Sequence, residues 1–168
     1  MNRFEVIRPQ ETDPIFDKIG KEWMLITASD GTRTNTMTAS WGGCGILWNK
    51  PVAICYIRPQ RFTFPIVEQA THLTLSFLPE QYRQALSWCG SHSGRDGDKF
   101  KACGLTCSTT DSGVPYPAEA DLVLVCRKLY ADDLKESAFL DPALFSNYPA
   151  KDFHRFYICE IEQALKRM

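Results

Sequence analysis

The chain has 168 residues, 44% of them hydrophobic, and a formal charge of −1; this supplies one domain core and leaves no net field to gather a polyanion such as nucleic acid. The N-terminal "MNRFEVIRPQETDP" has no apolar h-region and no run of about 18 apolar residues occurs, so a soluble cytoplasmic protein without a membrane span is expected. Seven cysteines without a C-x-x-C pair fit reduced, packed thiols rather than a disulfide framework.

In chain order, "TDPIFDKIG" predicts a short helix, with Asp13 as cap, Pro14 at the first helical position and Gly20 as the stop. "EWMLITA" (22–28) reads as a strand and "SDGTRTN" as the turn after it. "NTMTASWGG" (35–43) follows, an uncharged stretch that reads as a strand edge or a tight loop. "PVAICYI" (51–57) is a compact apolar run of the kind found in a buried strand. "TFPIVEQA" (63–70) predicts a helix capped by Thr63. "HLTLSFL" (72–78) alternates, with Leu73, Leu75 and Phe77 on one side and Thr74 and Ser76 on the other. "PEQYRQALSWCG" (79–90) predicts a helix, "STTDSGVPYPAEAD" (108–121) a long loop, and "DLVLVCRKLY" (121–130) and "HRFYICEI" (154–161) two more strands. Strands outnumber helices without a regular strand-helix alternation, which points to an antiparallel barrel with helices outside it, in a single domain over residues 1–168.

Three clusters carry candidate chemistry. In 35–43, Asn35, Thr36, Thr38 and Ser40 offer amide and hydroxyl groups, Gly42 and Gly43 permit close approach to the backbone, and Trp41 can stack on a planar ligand or wall its pocket. "YIRPQRFT" (56–63) places Arg58 and Arg61 between a strand end and a helix N-terminus, where guanidinium groups and N–H donors suit a phosphate. "SHSGRDGDKF" (91–100) is a glycine-punctuated loop from which Lys99 reaches an anionic or carbonyl group. Each has a plainer reading: hydroxyls on a strand face with Trp41 in the core, solvated arginines, and a charged surface loop. His154, at the start of the last strand, is either a satisfied structural side chain or an imidazole over a pocket mouth. The spacings Cys89-x-x-His92 and Cys103-x-x-x-Cys107 lack a paired second half, so no metal site is expected. The P-loop and G-x-G-x-x-G nucleotide motifs are absent.

With "NTMTASWGGCGILWNKPVAICYIRPQRFT" (35–63), "SGRDGDKF" (93–100) and "HRFYICEI" (154–161) in this order, the sequence resembles the flavin-reductase-like family of FMN-binding split barrels, in its flavoredoxin-like branch. The resemblance implies a homodimeric, mainly β, six-stranded antiparallel Greek-key split barrel with peripheral helices, holding FMN non-covalently, often near the subunit interface. It implies that Asn35, Thr36, Met37, Thr38, Ser40 and Trp41 lie along the flavin. It places Arg58, Arg61 and Thr63 at the phosphate and ribityl end, and Lys99 near the ring or tail. Phe62 stands where a tyrosine is common in this branch, and Cys159 where a glycine is often found. The expected activity is an oxidoreductase passing electrons from NADH or NADPH through FMN to a flavin, a ferric complex or a protein acceptor. The alternative is a flavoredoxin-type electron carrier with little direct nicotinamide activity. His154 is the candidate catalytic side chain.

Overall fold

The computed structural model describes residues 4–8 and 15–168. The strands are β1 (Phe4–Ile7), β2 (Met24–Ser29), β3 (Thr34–Ala39), β4 (Gly42–Leu47), β5 (Lys50–Ile57), β6 (His72–Phe77), β7 (Cys107–Thr109), β8 (Pro115–Pro117), β9 (Leu122–Asp133) and β10 (Arg155–Arg167). The helices are α1 (Ile15–Asp17), α2 (Thr63–Gln69), α3 (Arg83–Ser91) and α4 (Lys99–Cys103).

The main sheet is antiparallel and runs β3-β2-β6-β9-β10-β5-β4, with β1 paired to β10 off this path. Its two ends are consecutive in the chain: β3 stops at Ala39, β4 starts at Gly42, and only Ser40 and Trp41 lie between. The sheet therefore curls until its ends meet through a covalent link. The expected mainly β barrel is present, and the main sheet holds eight strands where six were expected. β10 stitches the two halves together. Residues 155–166 pair with β9 along one edge, while the other edge is shared between β5 (155–160) and β1 (164–167). Register shifts between Ile158 and Cys159 and between Ile161 and Gln163 bend the strand between its two partners.

Alternation divides the core. Met24, Ile26 and Ala28 of β2, Leu73, Leu75 and Phe77 of β6, and Leu122, Leu124 and Cys126 of β9 point into the barrel. Leu25, Val123 and Val125 face outward onto Leu86 and Cys89 of α3 and Phe100 of α4. Ile66 and Val67 of α2 join the barrel interior. The predicted two faces of β6 are observed, and Thr74 Oγ1 donates to the Pro115 carbonyl at 2.8 Å, tying β6 to β8.

Three local expectations are corrected, and a fourth, close approach to the Gly42 backbone, is given its partner. Gly20 does not stop the first helix, which continues from α1 through a wider π turn to Glu22; Asp13 and Pro14 lie outside the described residues. Thr63 does not cap α2. It is the first residue of the helix, after Phe62, and its hydroxyl accepts from Asn35 Nδ2 at 2.9 Å. The 108–121 stretch contains part of a hairpin, β7 with β8, rather than a loop throughout. The glycine-rich 42–47 segment, with little β propensity of its own, is a strand held by β5. A Cβ on Gly42 would stand 2.7 Å from the Ile54 carbonyl oxygen, so the group approaching that backbone is the neighbouring strand.

Candidate functional site

Two adjoining clefts lie beside the β3–β4 junction and share Arg61. Neither alone, at about 180 and 150 Å³, reaches the roughly 300 Å³ at the lower end of ordinary small-molecule sites. A ligand with a ring and a tail would have to occupy both.

The first cleft is lined by Met37, Thr38, Ser40, Trp41, Tyr56 and His154, with Arg58 and Arg61 at its polar side. Its aromatic wall is built from three elements. Trp41 leaves the junction 46% exposed; its ring centroid lies 5.2 Å from that of His154, which meets the Tyr56 ring of β5 edge-on at 6.3 Å. Burial and the Arg58 charge push His154 down to about 4, so its imidazole is neutral at physiological pH. Its Nδ1 is 2.8 Å from the Tyr148 hydroxyl.

The second cleft is lined by Arg61, Phe62, Thr63, Arg95 and Lys99 together with the 90–94 loop. Arg61 and Lys99 gather at the carbonyl end of α3, where unsatisfied C=O groups and the helix dipole favour positive charge. Arg61 donates to the Gly90 and Cys89 carbonyls at 3.1 and 3.4 Å, and Lys99 Nζ to the Cys89 carbonyl at 2.7 Å. Arg95 donates to the Gln60 carbonyl at 3.3 Å and lies over the Phe62 ring. Among the described residues none of the three has a carboxylate partner. Burial and then Arg61 push Lys99 down to about 8, and burial lowers Arg61 as well. A Cβ at Gly94 would stand 2.5 Å from both Asn35 Oδ1 and Phe62 Cδ1, so the loop closes onto β3 and the residue before α2 only as glycine.

The structure sorts the sequence candidates into three groups. Met37, Thr38, Ser40, Trp41, Arg58, Arg61 and His154 line the first cleft; Arg61, Thr63 and Lys99 line the second. Asn35 and Thr36 line neither: Asn35 holds Thr63, and the Thr36 hydroxyl meets that of Thr27 at 2.9 Å. The Thr38 hydroxyl donates to the Leu86 carbonyl of α3. Arg58 is committed elsewhere, donating to Asp152 Oδ2 at 2.5 Å and to the Asn147 carbonyl at 2.8 Å. The Arg58 and Gln60 hydrogen bonds in turn hold the Asp152 carboxyl below its ordinary range. Tyr56, Arg95 and Tyr148 were not singled out from the sequence as site residues. Arg95 was within reach, as the basic residue of the loop that ends at Lys99; Tyr148 carried no local signal.

Residues 16–165 match the family model described as flavin reductase like domain. The chain belongs to that family. No curated protein matches it in sequence. Among solved structures, this flavin reductase-like chain is similar to an FMN-binding domain of a flavin reductases-like enzyme from Shewanella baltica, with TM-score 0.74 and 17% identity over 99% of this chain and 78% of that one. Flavoredoxin of Desulfovibrio vulgaris superposes with TM-score 0.67 and 20% identity over 87% and 69% of the two chains. A Streptomyces globisporus NADH:FAD oxidoreductase gives 0.65 and 17% over 92% and 80%. At these identities the likeness is one of fold. No helix among the described residues is long and apolar enough to cross a membrane.

Proposed function

We propose that this flavin reductase-like protein binds FMN across the two clefts and passes electrons from NADH or NADPH to a flavin, a ferric complex or a protein acceptor. The observation that carries this reading is the pairing of an aromatic cleft with a basic one: three cations without carboxylate partners among the described residues stand in or beside a ring-lined slot, the two clefts being joined through Arg61. The donor set fits the group. A planar isoalloxazine asks for aromatic walls and hydrogen-bonding rims, and a dianionic phosphate asks for guanidinium, ammonium and hydroxyl donors at a distance from the ring.

In this reading Arg61, Arg95, Lys99 and Ser93 hold the phosphate, Thr63 stands beside the ribityl chain, and Trp41, Met37 and Ser40 lie along the ring. FMN supplies the hydride-accepting and electron-donating chemistry. The side chains orient it and set how much of it faces water. Arg61 fixes the junction between ring and tail because both of its carbonyl anchors belong to α3. His154, neutral above pH 5, contributes a hydrogen-bonding imidazole at the mouth and no cationic charge. We propose further that the protein works as a homodimer that covers the exposed apolar side chains Phe16, Trp41, Ile46 and Trp48.

The test is the absorbance spectrum of the purified protein with FMN, before and after anaerobic addition of NADH or NADPH. Flavin bands that bleach on addition support the reading. Bands that persist, yet bleach with a reduced protein donor, replace the reductase with an electron carrier; no uptake of FMN overturns both. Sedimentation equilibrium checks the dimer.

A further inference from the structure

We propose that Tyr148 is a positioning residue: its hydroxyl donates to His154 Nδ1, fixing the imidazole as the tautomer protonated at Nε2, so that the aromatic cleft offers an uncharged N–H donor to an acceptor of carbonyl type. The kinetic part of this inference rests on the function proposed above; the tautomer does not.

Tyr148 is held from several sides. Its ring packs against Phe139 and Phe153 with centroids 5.9 and 5.0 Å away, and the Arg58 guanidinium lies 5.0 Å from its centre. Its backbone N–H donates to the Phe145 carbonyl at 2.8 Å. His154 is anchored too, since its carbonyl accepts from the Leu134 N–H at 2.9 Å. The hydroxyl and the ring nitrogen therefore face each other at 2.8 Å between two fixed backbones.

The direction of the hydrogen bond follows from counting protons. Burial raises the tyrosine above its ordinary value, so it keeps its hydroxyl proton, and the imidazole is neutral and carries one N–H. Were that N–H at Nδ1, it would donate to the Tyr148 oxygen, and the hydroxyl proton of a side chain only 7% exposed would have no acceptor among the described residues. With the hydroxyl donating, every proton has a place. Nε2–H is then the free donor of a ring that lines the cleft. Arg58 is neutralised by Asp152, whereas Arg61, which also lines the cleft, is held by carbonyls alone. The imidazole itself is therefore an uncharged donor suited to a carbonyl or carboxamide oxygen in the electron donor or acceptor.

Histidine-selective nitrogen NMR of the purified protein tests the assignment. Wild type is expected to show His154 protonated at Nε2 with Nδ1 unprotonated, and Tyr148→Phe to show a mixture of tautomers. A wild-type ring protonated at Nδ1, or a tautomer unchanged in Tyr148→Phe, overturns the proposal. The wild-type spectrum decides by itself if the variant does not fold. In turnover, Tyr148→Phe is expected to lower kcat/KM for nicotinamide oxidation by roughly 3- to 10-fold, the range of one neutral hydrogen bond, with FMN affinity kept within about twofold. An unchanged kcat/KM removes the kinetic role. Absence of any FMN binding would remove the function and leave the tautomer standing.

Discussion

The two clefts differ in how their polar groups are satisfied. In the aromatic cleft three polar side chains already have a partner outside it: Thr38 the Leu86 carbonyl, Arg58 Asp152, His154 Tyr148. In the basic cleft Arg61, Arg95 and Lys99 lean on backbone carbonyls only, and like charge and burial work against them, as the lowered Lys99 shows. In the proposed reading the first cleft shapes a ligand and the second is completed by an anion. Position after a strand does not settle an arginine's partners: Arg58 and Arg61 are three residues apart, and one pairs with a carboxylate while the other donates to carbonyls only.

The largest effect should come from breaking that difference. Arg61→Ala is expected to weaken FMN roughly 10- to 100-fold, since charge-assisted contacts are worth about 1.5–3 kcal/mol, while riboflavin, which has no phosphate, loses far less in the same fluorescence titration. Equal losses for both ligands would take the phosphate away from this cleft. Arg58→Ala is the control: it should increase proteolysis within residues 134–154, which Arg58 holds through Asp152 and Asn147, and alter FMN and riboflavin alike.

Next comes pH. Lys99 is charged below about 8 in the free protein, and a bound phosphate raises that value, so FMN affinity should be greatest below pH 8 and fall above it by up to about tenfold per unit. Titrations with FMN and with riboflavin between pH 7 and 9 check this, and only the FMN curve should bend. The same burial acts on stability with the opposite sign. Between about pH 8 and the ordinary lysine value the unfolded chain binds the proton that the folded chain has lost, so the contribution of Lys99 to stability rises with pH.

The smallest change belongs to the aromatic side. Trp41→Ala should weaken FMN and riboflavin equally, by about 3- to 10-fold, the range of one stacked pair. A loss confined to FMN would move Trp41 to the tail.

Much of this arrangement is legible in the sequence where local pattern and tertiary role agree. The apolar run of β5, the alternation of β6 and the placing of Arg61 ahead of α2 all follow from residues close in the chain. The rest depends on distant partners. β4 is a strand because β5 holds it, through a turn at Trp48 and Asn49 whose positive φ angles, 52° and 57°, have the sign of a type I′ hairpin turn without its usual Asn-Gly signature. Arg58 is diverted by Asp152, 94 residues away. Thr36 looks like a ligand hydroxyl until Thr27 is placed beside it. Tyr148 acquires its place only when the 134–154 segment folds back on β10.

The junction of β3 and β4 also determines where the molecule opens. β10 is hydrogen-bonded along both edges, whereas β3 and β4 each have a strand neighbour on one side alone. Amide exchange should therefore be slowest in β10 and fastest at the two sheet ends, so the site stands where the barrel is easiest to unlatch, and a ligand bridging Trp41 and Arg61 would close that latch from outside the hydrogen-bond ladder.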